Sequence, residues 1–311
     1  MLGAAIVLNF FLPRLAPGDT IDYILPPEQG ALTPEQRQQV LQQFGLEGSQ
    51  PEQFVRYLGG LLQGDLGISV RFGRPVSALL LERVGWTLLL VGAALVLSMS
   101  LGAWLGFRSA WKRGSSSDAS TLSGVMVVDS APPFFVGMLL LLVFSVKLGW
   151  IPSYGAVPVA DVGGFAFVGE VLQRLVLPLV TLTLAGIGPM YLVARSAMVT
   201  ELGEDYVVMA EAKGLTPGNV RRHARRNALL PVSTVALLGF GTLVGGATVV
   251  ETVFSYPGLG RLIFQSVLAR DYPVLQGAFL LLLVTVIVAN LVNDLLYPVL
   301  DPRVRTSGSD R

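Results

Sequence analysis

The stretch LGEDYVVMAEAKGLTPGNVRRHARRNALLP, residues 202–231, lies between two long apolar runs of the chain. It is rich in charged residues and is divided by the sequence Gly-Leu-Thr-Pro at residues 214–217. Glycine often ends a helix, and threonine followed by proline often begins one. The stretch therefore predicts two short helices that meet at Gly214–Thr216, held between two apolar segments.

The composition places the chain in a membrane. Its 311 residues are 52% hydrophobic and 14% charged, whereas soluble domains carry about 25% charged residues. The net charge of +1 gives no reason to expect nucleic acid as a partner. The chain has no cysteine, which excludes structural disulfides, thiolate zinc sites and thiol nucleophiles. It has one histidine, His223. It has no P-loop either, so we expect no cofactor or metal on this chain.

Apolar runs long enough to cross a bilayer predict an all-α, polytopic integral membrane protein with about six transmembrane helices. Residues 1–13 are too short to cross alone, and we interpret them as a first transmembrane helix that lacks its N-terminal turns. A re-entrant or interfacial segment is the alternative. The other predicted spans are residues 84–107, 125–146, 175–194, 229–250 and 273–293.

The rest of the chain divides by polarity. Residues 14–82 are rich in proline and glycine and predict a small extramembranous module with short helices at about 33–44 and 52–62. Residues 83–298 form the predicted transmembrane core, and residues 299–311 form a polar tail.

The distribution of basic residues predicts the orientation. Twelve of the 22 Arg and Lys residues lie in three short segments: 108–123, 195–228 and 298–311. Short cytoplasmic loops of membrane proteins are enriched in Arg and Lys. We therefore expect the loop 196–230 and both termini in the cytoplasm, and the 14–82 module outside.

The two helices of the 202–231 stretch have different surfaces. The first carries a face of aromatic and apolar residues at helical spacing: Leu202, Tyr206, Met209 and Ala210. The second carries four arginines towards its C-terminal end, where cations favour the helix dipole: Arg221, Arg222, Arg225 and Arg226. We expect two helices lying against the membrane, with an ordinary positively charged loop as the alternative.

This stretch resembles the EAA loop of ABC-importer permeases, specifically that of the dipeptide, oligopeptide and nickel permeases. The matching residues are Asp205-Tyr206, Ala210, Ala212-Lys213-Gly214-Leu215 and Arg226-Asn227-Ala228-Leu229-Leu230-Pro231. Further stretches extend the resemblance over nearly the whole chain: LAPGD at 15–19, GDLG at 64–67, GRPV at 73–76, LGWIP at 148–152, VETVFSYPGLG at 250–260 and LDPRVR at 300–305. In strict register Val208-Met209-Ala210 stands where the family has Glu-Ala-Ala, so the glutamate that names the loop is absent.

The resemblance implies a type I ABC-importer transmembrane fold and one half of a heterodimeric channel in the cell membrane. It implies four partners: a second permease subunit, two cytosolic ATPase subunits that bind the ATP, and an extracytoplasmic substrate-binding protein. The helix–turn–helix would seat in a groove of an ATPase subunit and transmit its closure to the spans, while this chain catalyses no covalent chemistry. The residues expected to carry this coupling are Asp205, Tyr206, Ala210, Glu211, Ala212, Gly214, Leu215 and Pro231. The cargo would be a di- or oligopeptide, with nickel or a sugar as alternatives.

Asp129 is a second candidate for function. It lies inside the predicted span 125–146, close to Pro132-Pro133. An ionisable residue within a span is costly and marks a functional candidate. We expect Asp129 either to line the inward part of the substrate path, or to bind water or backbone groups freed by the prolines.

Three smaller features complete the sequence. Two Gly-x-x-x-Gly pairs would let helices approach closely, and we expect packing rather than function there: Gly102 with Gly106, and Gly241 with Gly245. The loop 254–272 should turn at Pro257-Gly258, in a type II turn. Its charged residues either contact a docked binding protein or are solvated: Arg261, Arg270 and Asp271.

Two other classes of protein were weighed. An ATPase-independent secondary transporter often shows internal repeats with broken helices, and this sequence shows no clear two-fold repeat. A membrane-embedded enzyme would need a nucleophile with its base, or metal ligands, inside the spans. One histidine in the predicted cytosolic loop and one acid within a span support that class poorly.

Overall fold

The structure is a computed structural model that describes residues 2–11, 38, 42, 47–152, 155, 156 and 164–300. Across these residues the chain is helical and has no strand, apart from one isolated antiparallel bridge between Ile68 and Pro75. The all-α prediction is therefore confirmed. The predicted helix at 33–44 lies almost wholly outside the described residues, and the predicted tail lies outside them from residue 301 onwards.

The described residues form a succession of α-helices. In chain order they are α1 Leu2–Phe11, α2 Gln50–Gln63, α3 Val76–Trp111, α4 Ser116–Asp129, α5 Pro133–Leu140, α6 Gly164–Glu201, α7 Asp205–Ala212, α8 Pro217–Val253, α9 Leu259–Leu268 and α10 Tyr272–Leu300. A π-helical segment, Leu141–Lys147, continues α5. Helix α2 confirms the predicted helix at 52–62.

Several described helices suit a bilayer. By length and composition α3 and α6 can each cross a membrane alone, with mean hydropathies of 2.2 and 1.8 in their most apolar stretches. The bent pair formed by α4 and α5 with its π-helical segment adds a third crossing if it counts as one span. Shorter apolar stretches lie in α8 at Leu243–Val253, in α9 at Leu259–Leu268 and in α10 at Tyr272–Val288. The total of about six spans stays a prediction.

The span predicted at 125–146 is broken. Helix α4 ends at Asp129, α5 begins at Pro133, and the two helices meet at 92°. Proline has no N–H to donate and its ring clashes with the preceding turn, so Pro132-Pro133 ends one helix and begins another. The predicted span 125–146 is therefore made of two helices joined at a bend, and Asp129 lies at the end of the first.

The chain divides into two compact units, and the first comprises described residues of 1–87 and 257–285. Its apolar core is formed by the start of α3 with α9 and α10, including Val76, Leu79, Leu80, Leu259, Leu262 and Leu275. The carboxylate of Asp271 lies fully buried in this unit, where it accepts hydrogen bonds from the Ser69 hydroxyl and, at 3.0 Å, from the Arg71 N–H. Asp271 therefore ties the loop before α3, which contains Ser69 and Arg71, to the start of α10. The expectation that Asp271 is exposed was wrong.

The predicted loop at 254–272 is mostly a helix. Gly258 is the N-cap of α9 with φ of −92°, so it does not have the positive φ that a type II turn requires at that position. The N–H of Leu259 donates to the Thr87 hydroxyl at 2.7 Å, which fixes the start of α9. One face of this short helix is buried and stabilises it; the face is formed by Leu259, Leu262 and Ile263.

The second unit comprises described residues of 88–256 and 286–300. Within it α6 packs along α8, and α4 and α5 pack on α6. The predicted close approach of helices is confirmed at Gly102 and Gly106, where α3 lies against α6. A Cβ on Gly106 would lie 2.7 Å from the Tyr191 carbonyl oxygen. Gly245 has open space around it, so the expectation of tight packing was wrong for that residue.

Candidate functional site

The connection from α6 to α8 forms the candidate site, and its turn is fixed by a glycine. Helix α7 ends at Ala212, and Gly214 follows with φ of +78°. Its N–H donates to the Glu211 carbonyl at 2.9 Å, and the N–H of Leu215 donates to the Ala210 carbonyl at 3.1 Å. Glycine reaches this left-handed conformation at little cost, which lets these bonds satisfy the last carbonyls of α7. The predicted helix end at Gly214 is confirmed.

The second helix of the site is much longer than the sequence indicated. Thr216 is its N-cap and Pro217 its first residue, as predicted, but α8 continues without interruption to Val253. Pro231 lies inside it, and the predicted short helix is in fact the start of the following apolar segment. A helix of 37 residues is about 55 Å long, so the end of the polar stretch and the apolar segment after it belong to one element.

The first turns of α8 are anchored by small residues. Val220, Ala224, Ala228 and Val232 recur every four residues and are all buried. Ala224, Ala228 and Val232 pack in one apolar cluster with Ala103 and Phe107 of α3 and with Ala194 and Met198 of α6. Small side chains permit close helix packing, so this stripe joins the start of α8 firmly to the bundle.

Helix α7 is only lightly attached. Val207 is buried at 4% exposure and Ala210 is half-buried, whereas Val208 and Met209 are 62% and 59% exposed. The other residues of the predicted coupling set on this helix are exposed: Asp205, Tyr206, Glu211 and Ala212. The buried position beside Ala210 is taken by Val207 and not by Met209. The outward face of α7 thus combines two apolar side chains with carboxylates.

A polar network ties α7 to its neighbours. The Tyr206 hydroxyl donates to the Glu201 carboxylate at the end of α6, and the Asn227 side-chain amide of α8 donates to the same carboxylate at 3.2 Å. The pKa of Tyr206 is raised to about 12, mainly by partial burial of the phenol and next by its hydrogen bond to the Glu201 carboxylate. The phenol therefore stays protonated at neutral pH. Three helices therefore meet at Glu201. The resemblance included Tyr206 and Asn227, but sequence reasoning did not identify Glu201 as their shared acceptor.

A second network lies beside the first and was not predicted. The guanidinium of Arg195 donates two hydrogen bonds to the Asp118 carboxylate, at 3.0 and 2.8 Å. Asp118 also accepts from the Ser109 hydroxyl and from the Gly114 N–H at 3.1 Å, and Ser109 is 2.7 Å from the Tyr191 hydroxyl. The network holds the end of α3, the start of α4 and the end of α6 together. Two features of the sequence could have indicated this network. Asp118 lies near the start of a helix, and Arg195 directly follows the apolar run at 175–194.

Asp129 lies against the middle of α6. A Cβ added to Gly188 would overlap the Asp129 carboxylate, so the glycine provides the space that the acid occupies. Asp129 is exposed, and its carboxylate forms no hydrogen bond or ion pair with any residue that the structure describes. The expectation that it binds backbone groups freed by the prolines is therefore not met within that part of the chain. No cluster of His, Cys, Asp and Glu able to hold a metal occurs among the described residues.

Comparison with known proteins agrees with this architecture. Residues 98–306 match the family described as binding-protein-dependent transport system inner membrane component. A chain from the inward-facing structure of the MetNI methionine ABC transporter superposes with a TM-score of 0.59 at 19% identity, covering 72% of this chain and 97% of that one. This likeness shows a shared fold, the transmembrane fold of an ABC transporter.

Several relatives align with this chain over nearly its full length. A relative in Brucella ovis is 39% identical over 310 residues, which is 99% of this chain and 96% of that protein. The oligopeptide transport system permease AppB of Bacillus subtilis is 35% identical over 300 residues, and the dipeptide transport system permease DppB of Escherichia coli is 36% identical over 318. Both comparisons cover 96% of this chain and 93% of the relative.

The chain belongs to the binding-protein-dependent transport system inner membrane component family. It is a multi-pass permease subunit, a transport component of the membrane rather than an enzyme.

Proposed function

We propose that this permease forms half of a channel that imports di- or oligopeptides, delivered by a binding protein and driven by separate ATPase subunits. The observation that carries the proposal is the extent of its similarity to permeases named for peptide transport. AppB and DppB are matched over 93% of their length, so the likeness includes the channel and the loop between α6 and α8. On this proposal a second permease subunit completes the channel and two ATPase subunits power it.

The proposed docking element for an ATPase subunit is α7. Its outward face presents Val208 and Met209, which are exposed and apolar, together with the carboxylates of Asp205 and Glu211. Small apolar anchors surrounded by polar groups are typical of protein interfaces. The Glu201 network and the turn at Gly214 connect this helix to α6 and α8, which supports a route from ATPase closure to the apolar helices.

Reconstitution tests the proposal. The chain is produced with the permease, ATPase and binding proteins encoded beside it, and is placed in liposomes with a radiolabelled dipeptide. We expect uptake that requires ATP, the ATPase subunits and the binding protein. The control omits only the ATPase subunits. Uptake by the purified chain without any nucleotide-hydrolysing subunit would overturn the proposal and favour a secondary transporter.

The proposed orientation places α7 and both termini in the cytoplasm. The natural absence of cysteine makes this directly measurable, because one introduced cysteine reports one position. Lys213→Cys, next to the turn, should react with a membrane-impermeant maleimide in inside-out vesicles but not in intact cells. Glu52→Cys, in α2, serves as the matched control and should show the opposite pattern. Labelling of Lys213→Cys in intact cells would show that the loop lies outside the cell, opposite to the proposed orientation.

A further inference from the structure

A cationic groove lies beside the coupling loop, between the end of α3 and the start of α8. It has a volume of about 740 Å³, within the range of small-molecule sites. Five of its lining residues are basic: Arg108, Lys112, Arg221, Arg222 and Arg225. All five are exposed, and none is paired with a carboxylate among the residues that the structure describes. Such a concentration of unpaired positive charge is complementary to an anion.

Most of the other residues that line the groove are apolar. Phe107, Ala103 and Met198 are buried members of the lining, and two tryptophans accompany the basic residues. The Arg221 guanidinium lies 4.2 Å from the centroid of the Trp111 ring, and Arg108 lies 5.9 Å from that of Trp104. Cation–π contacts of this kind hold the guanidinium groups in place without neutralising them.

An apolar stripe leads along α3 into the groove. Leu97, Leu101 and Trp104 are spaced by four and three residues and are 39%, 43% and 57% exposed. Arg108 follows four residues later, so one helix face changes from apolar to basic over a single turn. Tryptophan and arginine at such a boundary are typical of the bilayer interface, where the chains and headgroups of lipids meet.

We propose that this groove binds the headgroup of an anionic phospholipid, whose acyl chains lie along the stripe formed by Leu97, Leu101 and Trp104. The phosphate is contacted by the basic residues of α3 and α8, and so links the two helices beside the coupling loop. A soluble phosphate would bind the basic side chains but would leave the apolar stripe exposed. A phospholipid contacts both, so we favour the lipid as the ligand. The inference deepens the proposed function, since it rests on the groove facing the same membrane surface as α7.

Lipid retention tests the proposal with two charge-matched variants. The assembly is purified in detergent with phosphatidylglycerol or phosphatidylcholine, and bound lipid is counted by native mass spectrometry. Arg108→Gln with Arg225→Gln removes two cations from the groove, and Arg113→Gln with Arg226→Gln removes two exposed cations outside it. We expect the groove variant to lose phosphatidylglycerol binding by about tenfold and the control variant to keep it. Equal loss in both variants would overturn the proposal.

Tryptophan quenching gives a second measurement that needs no charge substitution. In nanodiscs, brominated phosphatidylglycerol should quench the fluorescence of the full chain more than brominated phosphatidylcholine does. Trp104→Phe should remove that difference, while Trp150→Phe, outside the groove, should keep it. Equal quenching by the two lipids would overturn the proposal.

The same variants separate a lipid site from a protein interface. If the groove variant lost its ATPase subunits in a pull-down yet retained phosphatidylglycerol, the cations would serve an ATPase contact and the lipid proposal would fail. Neither lipid measurement requires ATP, peptide or transport. Failure of peptide uptake would therefore leave the lipid result standing, and the two proposals can fail independently.

Discussion

The hydroxyl of Tyr206, in α7, donates a hydrogen bond to the carboxylate of Glu201, the last residue of α6. The same carboxylate accepts from Asn227 of α8, so the loop that lies outside the apolar helices is tied to both helices that flank it. Apart from this network, α7 is held by the buried side chain of Val207 and by the turn at Gly214. A helix with so few attachments depends strongly on each of them.

Tyr206→Phe is expected to weaken the attachment of α7 while leaving the fold intact. The variant keeps the ring and removes one hydrogen bond to a carboxylate, a loss of about 1 kcal/mol for a partly exposed pair. In the reconstituted assembly we expect ATP hydrolysis to continue and peptide uptake per ATP to fall. Asn219→Ala, on the exposed first turn of α8, is the control and should keep the wild-type ratio. An unchanged ratio in Tyr206→Phe would show that this bond does not transmit motion.

The turn at Gly214 gives a conformational prediction. Gly214→Ala places a Cβ at φ of +78°, where nothing blocks the side chain but the backbone conformation costs about 1 kcal/mol. Gly214→Pro also removes the N–H that donates to Glu211 and should uncouple hydrolysis from uptake. Both variants are measured as uptake per ATP hydrolysed, and the proline variant should be the more severe.

Gly218→Ala is the matched control for the Gly214 variants. Gly218 lies in the first turn of α8 without a positive φ and with open space around it. Alanine should be accepted there with no loss of coupling, because it favours the helix. Normal coupled transport in Gly214→Pro would argue against a mechanical role for the turn.

The sequence predicted the local features of this site better than the long-range ones. Gly214, Thr216 and Pro217 punctuate the loop by rules that act within a few residues, and all three lie where expected. The joining of the helix that begins at Pro217 to the predicted span 229–250 was missed: the two form one helix, α8. Its interior Pro231 is tolerated because neighbouring helices can satisfy the backbone. The pairing of Asp118 with Arg195 joins residues 77 positions apart, and no periodicity in one sequence reports such a contact.

Helix α9 shows a different reason for a missed element. Pro257 and Gly258 dominate the local pattern and favoured a turn, while the apolar spacing of Leu259, Leu262 and Ile263 was not weighed against them. Asp271 looked like a surface residue for the same reason, since only the fold supplies the Ser69 and Arg71 donors that make its burial acceptable. The break at Pro132-Pro133 could have been predicted from the residues, but its 92° angle depends on packing against α6.

Asp118→Asn is expected to destabilise the second unit. The aspartate accepts from four donors, and an asparagine would turn its own NH₂ towards some of them. Breaking a mostly buried ion pair costs about 3 kcal/mol. The unfolding temperature in detergent should therefore fall by several degrees.

Glu82→Gln is the control for Asp118→Asn. It makes the same change of carboxylate to amide at the exposed Arg74–Glu82 pair, whose side chains are 50% and 48% exposed. Exposed ion pairs contribute little to stability, so the unfolding temperature of this variant should hardly move. Equal effects of the two variants would show that the Asp118 network adds no more than a surface pair.

Gly106→Ala tests the close contact of α3 with α6. The added Cβ would lie 2.7 to 2.8 Å from the Tyr191 carbonyl oxygen, the Ala194 Cβ and the Arg195 nitrogen, so the helices must separate. Overpacking of this kind costs about 1–3 kcal/mol. Gly92→Ala, in the same helix but with open space around it, should be neutral or slightly stabilising in the same thermal measurement. A Gly106→Ala protein as stable as Gly92→Ala would contradict the packing described here.

Asp129→Asn tests whether the carboxylate at the break between α4 and α5 belongs to the substrate path. The amide has nearly the same shape, so its contact with Gly188 is preserved and the variant removes only the charge. Because an ionisable group in a membrane helix is retained at a cost, we expect uptake of a cationic dipeptide to fall more than that of a neutral one. Binding of the ATPase subunits should persist in a pull-down, since Asp129 lies outside the loop between α6 and α8. Glu82→Gln again serves as the control, and uptake of both dipeptides at wild-type rates in Asp129→Asn would exclude Asp129 from the path.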